Sequence, residues 1–513
     1  MSATVYDQRV EKGSTSTNPG QGGAGSVASS VYTVDLPVYA TLDNQITTYP
    51  DQVKQKTSMM YLRMTNQQRK RILMAIKRSD TLLIPLDYAY SLGVKSCTME
   101  HMKEGSMKSL YAALCRIEDG RRKKGQRGAP VKYPLNEILL LYVIGLMFGE
   151  YEIVHICHVL LLHQEELEKY IVLTNGIPSH DTMSKAIASV SEASLRSALG
   201  GWLKEYMPKS LHYIIDGKGV RAAANKCKGE YTPYILNVCD AFTKLLVMQT
   251  SVGRKTNEKG TFSNLFDLLD LEGKMITIDA AAGYQQVINE INDRHGFFMI
   301  PFKMGTRTVL ERALEAYGLK LEAFIERKDS DALKVYVEGP VKSHGRLETR
   351  IYCLFDAAGA FLDPAYSCVK SIVLVKREVE TTVHYSKPLK DGRTESKRRS
   401  EQYVFYLSNK SVDEMTAEEA AEFIRGHWTI ENSLHWVLDN GTMHEDRTRS
   451  RKGDSIANLS FLRKVALNLI RLYSGGKPTH SIKWYMDELR ANMPLMISLL
   501  MDDITPYCEK FAV

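Results

Sequence analysis

An α/β protein, with a mixed sheet flanked by helices and a helical domain ahead of it, is the fold that three features of the sequence predict. Between Pro134 and Met207 the apolar residues read as helices. From Leu211 the pattern changes to short β-branched and aromatic runs separated by turn-like segments. Helix and strand patterns then alternate, and strands followed by such alternation imply a mixed sheet with helices on both faces.

Taken in order, residues 11–30 are rich in Gly and Ser and too poor in apolar surface to order themselves, so 1–31 is expected to be a disordered tail. Residues 32–120 are an extension with one predicted helix at Asn66–Lys77. The basic run Arg121–Lys132 ends in Gly and Pro and reads as a linker or exposed loop, either a solvated surface or a phosphate contact. Leu135–Phe148 and Ile153–Leu162 are apolar helices, and SHDT (Ser179–Thr182) supplies N-cap chemistry for a helix through Ile187.

Strands are expected at Leu211–Asp216, Tyr231–Asp240 and Lys244–Val252. A helix at Phe262–Leu271, a strand at Lys274–Asp279, a helix at Tyr284–Arg294 and a strand at Phe297–Lys303 follow. A second strand group comprises Leu333–Gly339, Leu347–Phe355, Ser371–Val379 and Glu401–Asn409, with the charged stretch Lys387–Ser400 read as a mobile loop. Helices at Thr416–Arg425, Thr429–Leu438 and Ser455–Tyr473 complete the pattern.

Composition excludes several classes. In 513 residues, 67 Lys and Arg against 60 Asp and Glu leave a net charge of +7, which permits an anionic partner without demanding one. The start MSATVYDQRV has no apolar core, so no secretory signal is expected. The longest apolar stretch, Ile138–Phe148, is too short for ~30 Å of hydrocarbon. Eight scattered cysteines without a C-x-x-C pair suggest neither a disulfide framework nor a zinc ribbon, and a cytoplasmic location is expected.

Chemistry concentrates in three places. Asp216 and Asp279 each close an apolar strand, where open α/β sheets place ligands. Either alone reads as a turn cap; two on one sheet can share a cation. The third place is HWTIENSLHW, in which His427, Glu431 and His435 are spaced by four and so share a helix face. Glu431 stands among Ile430, Leu434 and Trp436, where a buried charge needs a partner or a metal. Two Asp and one Glu suit Mg²⁺ or Mn²⁺, and a pair of such ions suits in-line displacement at phosphorus. A zinc site of His427, His435 and Glu431 is the weaker alternative, since the H-E-x-x-H spacing is absent.

Cations surround these acids in sequence: Lys218 and Arg221; Arg254 and Lys255; His344, Arg346 and Arg350; and Arg447, Arg449, Arg451 and Lys452. Each group alone is most simply a solvated face. Together they favour a phosphodiester substrate.

The chain resembles the bacterial insertion-sequence transposases of the H-repeat-associated group, DDE transposases with an RNase H-like catalytic fold. The resemblance rests on RRKKGQRGAPVKYPLNEILLL, GIPSHDT, IIDGK, KTNE with LLDLEGKMITIDA, HGRLETR, RGHWTIENSLHWVLD, HEDRTRSRKG and LRKVALNLIR, in family order from about Arg121 to Arg471. It implies a metal-binding catalytic triad of Asp216, Asp279 and Glu431 with two Mg²⁺ or Mn²⁺ ions. Lys218, Arg221, Lys255, His344, Arg346, Arg350, His427, Trp428, Asn432, His435, Arg447 and Arg449 are then candidates for DNA contact, with Asn257, Glu258 and Trp436 near the site.

The implied domains are a helical transposase-associated domain at 121–208, a candidate for DNA-end recognition, and an RNase H-like catalytic domain at 209–475. A β-rich insertion at about 325–410 precedes Glu431, and 476–513 is a helical tail. The implied partners are double-stranded element ends and target DNA, bound by a homodimer in the bacterial cytoplasm and associated with the nucleoid when active. The chain departs from the family pattern at AAAGYQ after the second Asp and at NGTMHED after HWVLD, which puts Gln285 in doubt but removes no triad carboxylate. A DNA-binding protein that has lost catalysis is the alternative of another class.

Overall fold

A computed structural model describes residues 39–40, 84–85, 108–121, 131–171, 173–206, 211–223, 232–252, 258–279, 285–302, 334–343, 346–357, 366–384, 394–476 and 478–511. The expected tail at 1–31, the helix at Asn66–Lys77 and most of the basic run after Arg121 lie outside them. The principal helices before the sheet are α1 (Leu110–Cys115), α2 (Leu135–Met147), α3 (Ile153–Leu162) and α4 (His180–Ser189). The sheet region runs β1 (His212–Gly219), β2 (Tyr234–Asp240), β3 (Leu246–Val252), α5 (Glu258–Phe266), β4 (Met275–Ile278), α6 (Gln285–Asp293) and β5 (Phe297–Phe302). It continues as β6 (Lys334–Ser343), β7 (Arg346–Asp356), β8 (Ser371–His384), β9 (Glu395–Ser408) and α7 (Ala417–His427). Helices α8 (Ser455–Ser474), α9 (Ile482–Ala491) and α10 (Met493–Met501) follow.

Two units emerge: 1–206 with 451–513, and 207–450. In the first, every residue of α2 is buried and α8 is buried from Ser455 to Leu472 apart from Ile456, as expected of helices at the centre of a bundle. They pack on each other and on α4, whose first turn is capped by Ser179 Oγ accepting from the Thr182 amide at 3.3 Å. Among the described residues no helix is long and apolar enough to cross a membrane.

The second unit is built on a nine-stranded mixed sheet in the order β3-β2-β1-β4-β5-β9-β8-β7-β6. Only β1–β4 and β4–β5 pair in parallel; the other pairs are antiparallel. Because side chains alternate across a strand, each face has its own core. Ile215, Val238, Ile276, Ile278, Phe298 and Ile300 bury with α5 and α6. Met275, Met299, Tyr352, Leu354, Val373 and Val375 bury against α7 through Ala417, Ala420, Ala421 and Ile424. Those four recur at i, i+3, i+4 and i+7, the stripe that lets one helix face lie on a sheet. A reciprocal cap between Thr416 and Glu419 fixes where α7 starts, with bonds of 3.1 and 2.8 Å.

The second strand group, β6 to β9, extends the same sheet. One boundary moves. The part of Lys387–Ser400 from Glu395 onward is strand, pairing Glu395–Ser400 with Val379–His384. Its charge is used across the ladder: Glu380 faces Lys397 at 2.7 Å and Arg399 at 2.9 Å. Charge alternating along an exposed ribbon is compatible with a strand, so density of charge alone does not mark a loop.

Candidate active site

Register places the first two carboxylates. Ile215 of β1 pairs with Ile278, the last residue of β4; Asp216 follows within β1 and Asp279 follows just past the end of β4. Neighbouring strands lie ~4.8 Å apart, and residues of equal register point to one face. That face also carries His212, Ile214 and Thr277, and it is the one covered by α7. Asp216 does not close its strand: β1 continues to Gly219, pairing with β2, after β4 has ended. Glycine at 217 leaves room for the Tyr234 ring, which a Cβ there would overlap.

The helix α7 delivers the third acid. Its last turn comes close to the sheet because Gly426 has no side chain; a Cβ would meet His212 Cε1 at 2.8 Å. His212 Nε2 lies 3.0 Å from Thr277 Oγ1, and His427 Nδ1 lies 3.2 Å from the same oxygen. One hydroxyl thus joins β1, β4 and α7. Beyond α7 the expected helix Thr429–Leu438 widens into turns with i→i+5 hydrogen bonds at Glu431–His435 and Val437–Gly441. Such widening recurs at functional sites.

In that widened turn, His435 Nδ1 lies 3.1 Å from Glu431 Oε2 and 3.4 Å from Asp216 Oδ2. Donor atoms of Asp216, Glu431 and His435 fall within 4.8 Å of one another. The apolar neighbours of Glu431 in sequence predict burial, but its side chain is 65% exposed and faces solvent, with His435 beside it. The zinc set fails to assemble, because His427 turns to Thr277 and leaves Asp216 beside Glu431 and His435.

Burial pushes the Asp216 carboxyl above the usual carboxylate range, and Asp279 adds to the push. His435, the Gly217 amide and His427 pull it back. The Gly217 N–H donates to Asp216 Oδ1 at 2.8 Å. Burial lowers His427 below the ordinary histidine value, opposed by Asp216 and Asp279. His212 is driven down to about 3, by burial first and His427 second. Both rings are neutral near pH 7, so the site face holds acids flanked by uncharged imidazoles. Two carboxylates and an imidazole, open on the Glu431 side, with a further carboxylate at the next strand end, are donors that suit a divalent cation.

Comparison with known proteins identifies the family. The model of the transposase DDE domain matches residues 207–469, and that of the segment associated with this domain matches 111–203. The chain belongs to the DDE transposases. It is 28% identical to the "H repeat-associated putative transposase YhhI" of Escherichia coli K12, over 66% of this chain and 85% of that one. It is 29% identical to the "Putative transposase YncI" of Escherichia coli O157:H7, over 71% and 88%. The K12 protein YbfD, of the same H repeat-associated name, matches at 26% over 45% of this chain and 90% of its own. The sheet with helices on both faces is therefore the RNase H-like fold of this bacterial group.

Within this transposase the expected DNA contacts differ in setting. Arg221, Arg346, Asn432, Arg447 and Arg449 are exposed, as are Trp428 and Trp436, at 66% and 57%. Arg350 is half-buried and engaged by Glu348 at 2.5 Å and Glu338 at 3.6 Å. Lys218, expected beside a phosphate, is instead only 10% exposed and bound to Asp439 and Glu445. Lys255, Asn257 and His344 lie outside the described residues, while Glu258 opens α5 and Gln285 opens α6. Sequence reasoning missed Thr277, His212, Asp439 and Glu445. Of these only Thr277 left a signal, as the polar residue two positions before Asp279 in an apolar strand.

Proposed function

We propose that this transposase cleaves phosphodiesters at the ends of its insertion sequence and joins the freed 3′ ends to target DNA, with Asp216, Asp279 and Glu431 as the catalytic carboxylates. The observation that carries the reading is the convergence of Asp216 with Glu431 through His435, with Asp279 one strand away at equal register. These three carboxylates would hold Mg²⁺ or Mn²⁺, as a pair of ions. Bound there, the metal supplies Lewis acidity for the attacking oxygen and charge neutralisation for the leaving one.

The chain's own residues prepare the rest. His435 holds Glu431 and Asp216 at one spacing before any substrate arrives. Thr277, itself held by His212, fixes the ring of His427, whose charge state responds to both aspartates. Arg346, Arg350 and Arg377 share the sheet face of Asp216; exposed Arg346 supplies a cation for the DNA backbone, while Arg350 and Arg377 are held by Glu348 and would reach phosphate only by leaving it. Exposed Trp428 and Trp436 offer flat apolar surface to bases. Arg221, Arg447 and Arg449, with Lys255 and His344, extend the DNA contacts. In this reading two copies assemble on paired element ends, within the bacterial cytoplasm and on the nucleoid. By their motifs we assign 121–208 to the associated domain and 209–475 to the catalytic one, although α8 at the end of the latter packs within the first compact unit.

The test is cleavage and strand transfer with Mg²⁺ on DNA spanning both flanks of the gene. Nicked and joined products are expected, and both should vanish in Asp216→Asn, Asp279→Asn and Glu431→Gln. Retention of wild-type activity by all three overturns the assignment. Tight DNA binding with no nicking in any divalent metal would instead identify a transposase descendant that has lost catalysis.

A further inference from the structure

Glu431 is mostly exposed, so burial does not fix its position, and the wide turns around it are intrinsically poor helix. Something else must hold this segment over β1. Lys218 stands two residues after Asp216 on the same strand and the same face. Its ammonium contacts the Asp439 carboxylate, lies 3.1 Å from Glu445 Oε2 and 3.5 Å from the His435 carbonyl oxygen. All three partners belong to the stretch that follows Glu431, and Glu445 is 1% exposed. A second contact runs in parallel, as Arg221–Ala223 packs on the turn Glu445–Arg447.

A buried cation with two carboxylates and a carbonyl tolerates few arrangements, because each displaced partner leaves an uncompensated charge in low dielectric. We propose that Lys218 is a positioning residue: it docks the Glu431-bearing segment onto β1 through Asp439 and Glu445 and so sets the approach of Glu431 to Asp216. This rests on the cation-binding reading of the three carboxylates. It assigns to Lys218 a task different from neutralising DNA phosphate, since its charge is already met inside the protein.

The experiment compares the full chain with Lys218→Met, Asp439→Asn and the exchange Lys218→Glu with Glu445→Lys. Three quantities are read: Mn²⁺ affinity by calorimetry, amide exchange of residues 431–441 without metal, and affinity for a short DNA duplex in EDTA across a salt series. A positioning role predicts Mn²⁺ binding weakened about 10–100-fold in the single variants, as for other groups that orient metal ligands. It also predicts faster exchange at 431–441, partial recovery in the exchange variant, and an unchanged salt slope. The proposal is overturned if Mn²⁺ affinity and exchange match wild type, or if the salt slope instead falls by about 0.9, the signature of one lost phosphate contact. Should Lys218→Met fail to fold, Asp439→Asn decides, since Glu445 still neutralises Lys218 there. Wild-type protein that binds no Mn²⁺ sinks the cation reading, while the exchange rates still report whether Lys218 docks the segment.

Discussion

Asp216 and Asp279 stand one step beyond the paired residues Ile215 and Ile278, at the point where two adjacent parallel strands part company. The relationship follows from the sheet order, in which β1 and β4 are neighbours although β2, β3 and α5 separate them in the chain. Everything expected of the site depends on this adjacency.

The first expectation concerns the carboxylates singly. Asp216→Asn, Asp279→Asn or Glu431→Gln should each cut strand cleavage by more than about 100-fold, beyond the range seen when only an orienting neighbour is lost. Retention of element-end DNA in EDTA should stay near wild type, since none of the three supplies a cation. Single-turnover cleavage beside a filter-binding assay checks both halves.

His435 joins Glu431 to Asp216, so His435→Asn should leave both acids in place but loosen their spacing. A loss of about 10–100-fold in Mn²⁺ affinity is expected, with a much smaller change in thermal midpoint. Wild-type Mn²⁺ affinity in this variant would show that the imidazole does no positioning.

Acid should destabilise the second unit through His212. Its folded value near 3 lies below the ordinary 6.5 because burial disfavours the charged ring, so the unfolded chain takes up the proton first as pH falls. The stabilisation is complete above about pH 6.5 and is lost progressively down to about pH 3. At pH 5 this group alone should remove roughly 2 kcal/mol, at 1.36 kcal/mol per pH unit. His427, also lowered, acts in the same sense. Asp216, raised by burial, opposes them at the acid end. Denaturant midpoints from pH 7 to pH 5 should fall steeply in the wild type and less steeply in His212→Gln.

Gly426 permits the close approach of α7 to His212, whose ring is pinned by Thr277. Gly426→Ala should therefore cost about 1–3 kcal/mol by overpacking, despite the higher helix propensity of alanine. A rise in thermal midpoint would mean that the ring can move aside.

Much of the fold was legible because helix and strand patterns are written by nearby residues. The buried run of α2, the Ser179 cap and the alternating strands from Leu211 each depend on side chains a few positions apart, and the structure places elements there. Glu395–Ser400 reads locally as a loop because its charges are met only across the ribbon at Glu380, a partner no local pattern announces. The widening at Glu431 had no sequence mark either, for the same residues fit an ordinary helix.

The sequence by itself determined the order of the elements, the three acids on ordered motifs and the aromatic helix bearing Glu431. Tertiary structure alone decided that Asp216 and Asp279 sit side by side, that His435 rather than His427 joins Glu431, and that Lys218 faces Asp439 and Glu445 instead of solvent. The reason is that periodicity sets which face a residue presents, whereas the neighbour it meets there is set by strand order and by how closely a helix can approach, which are properties of the assembled sheet.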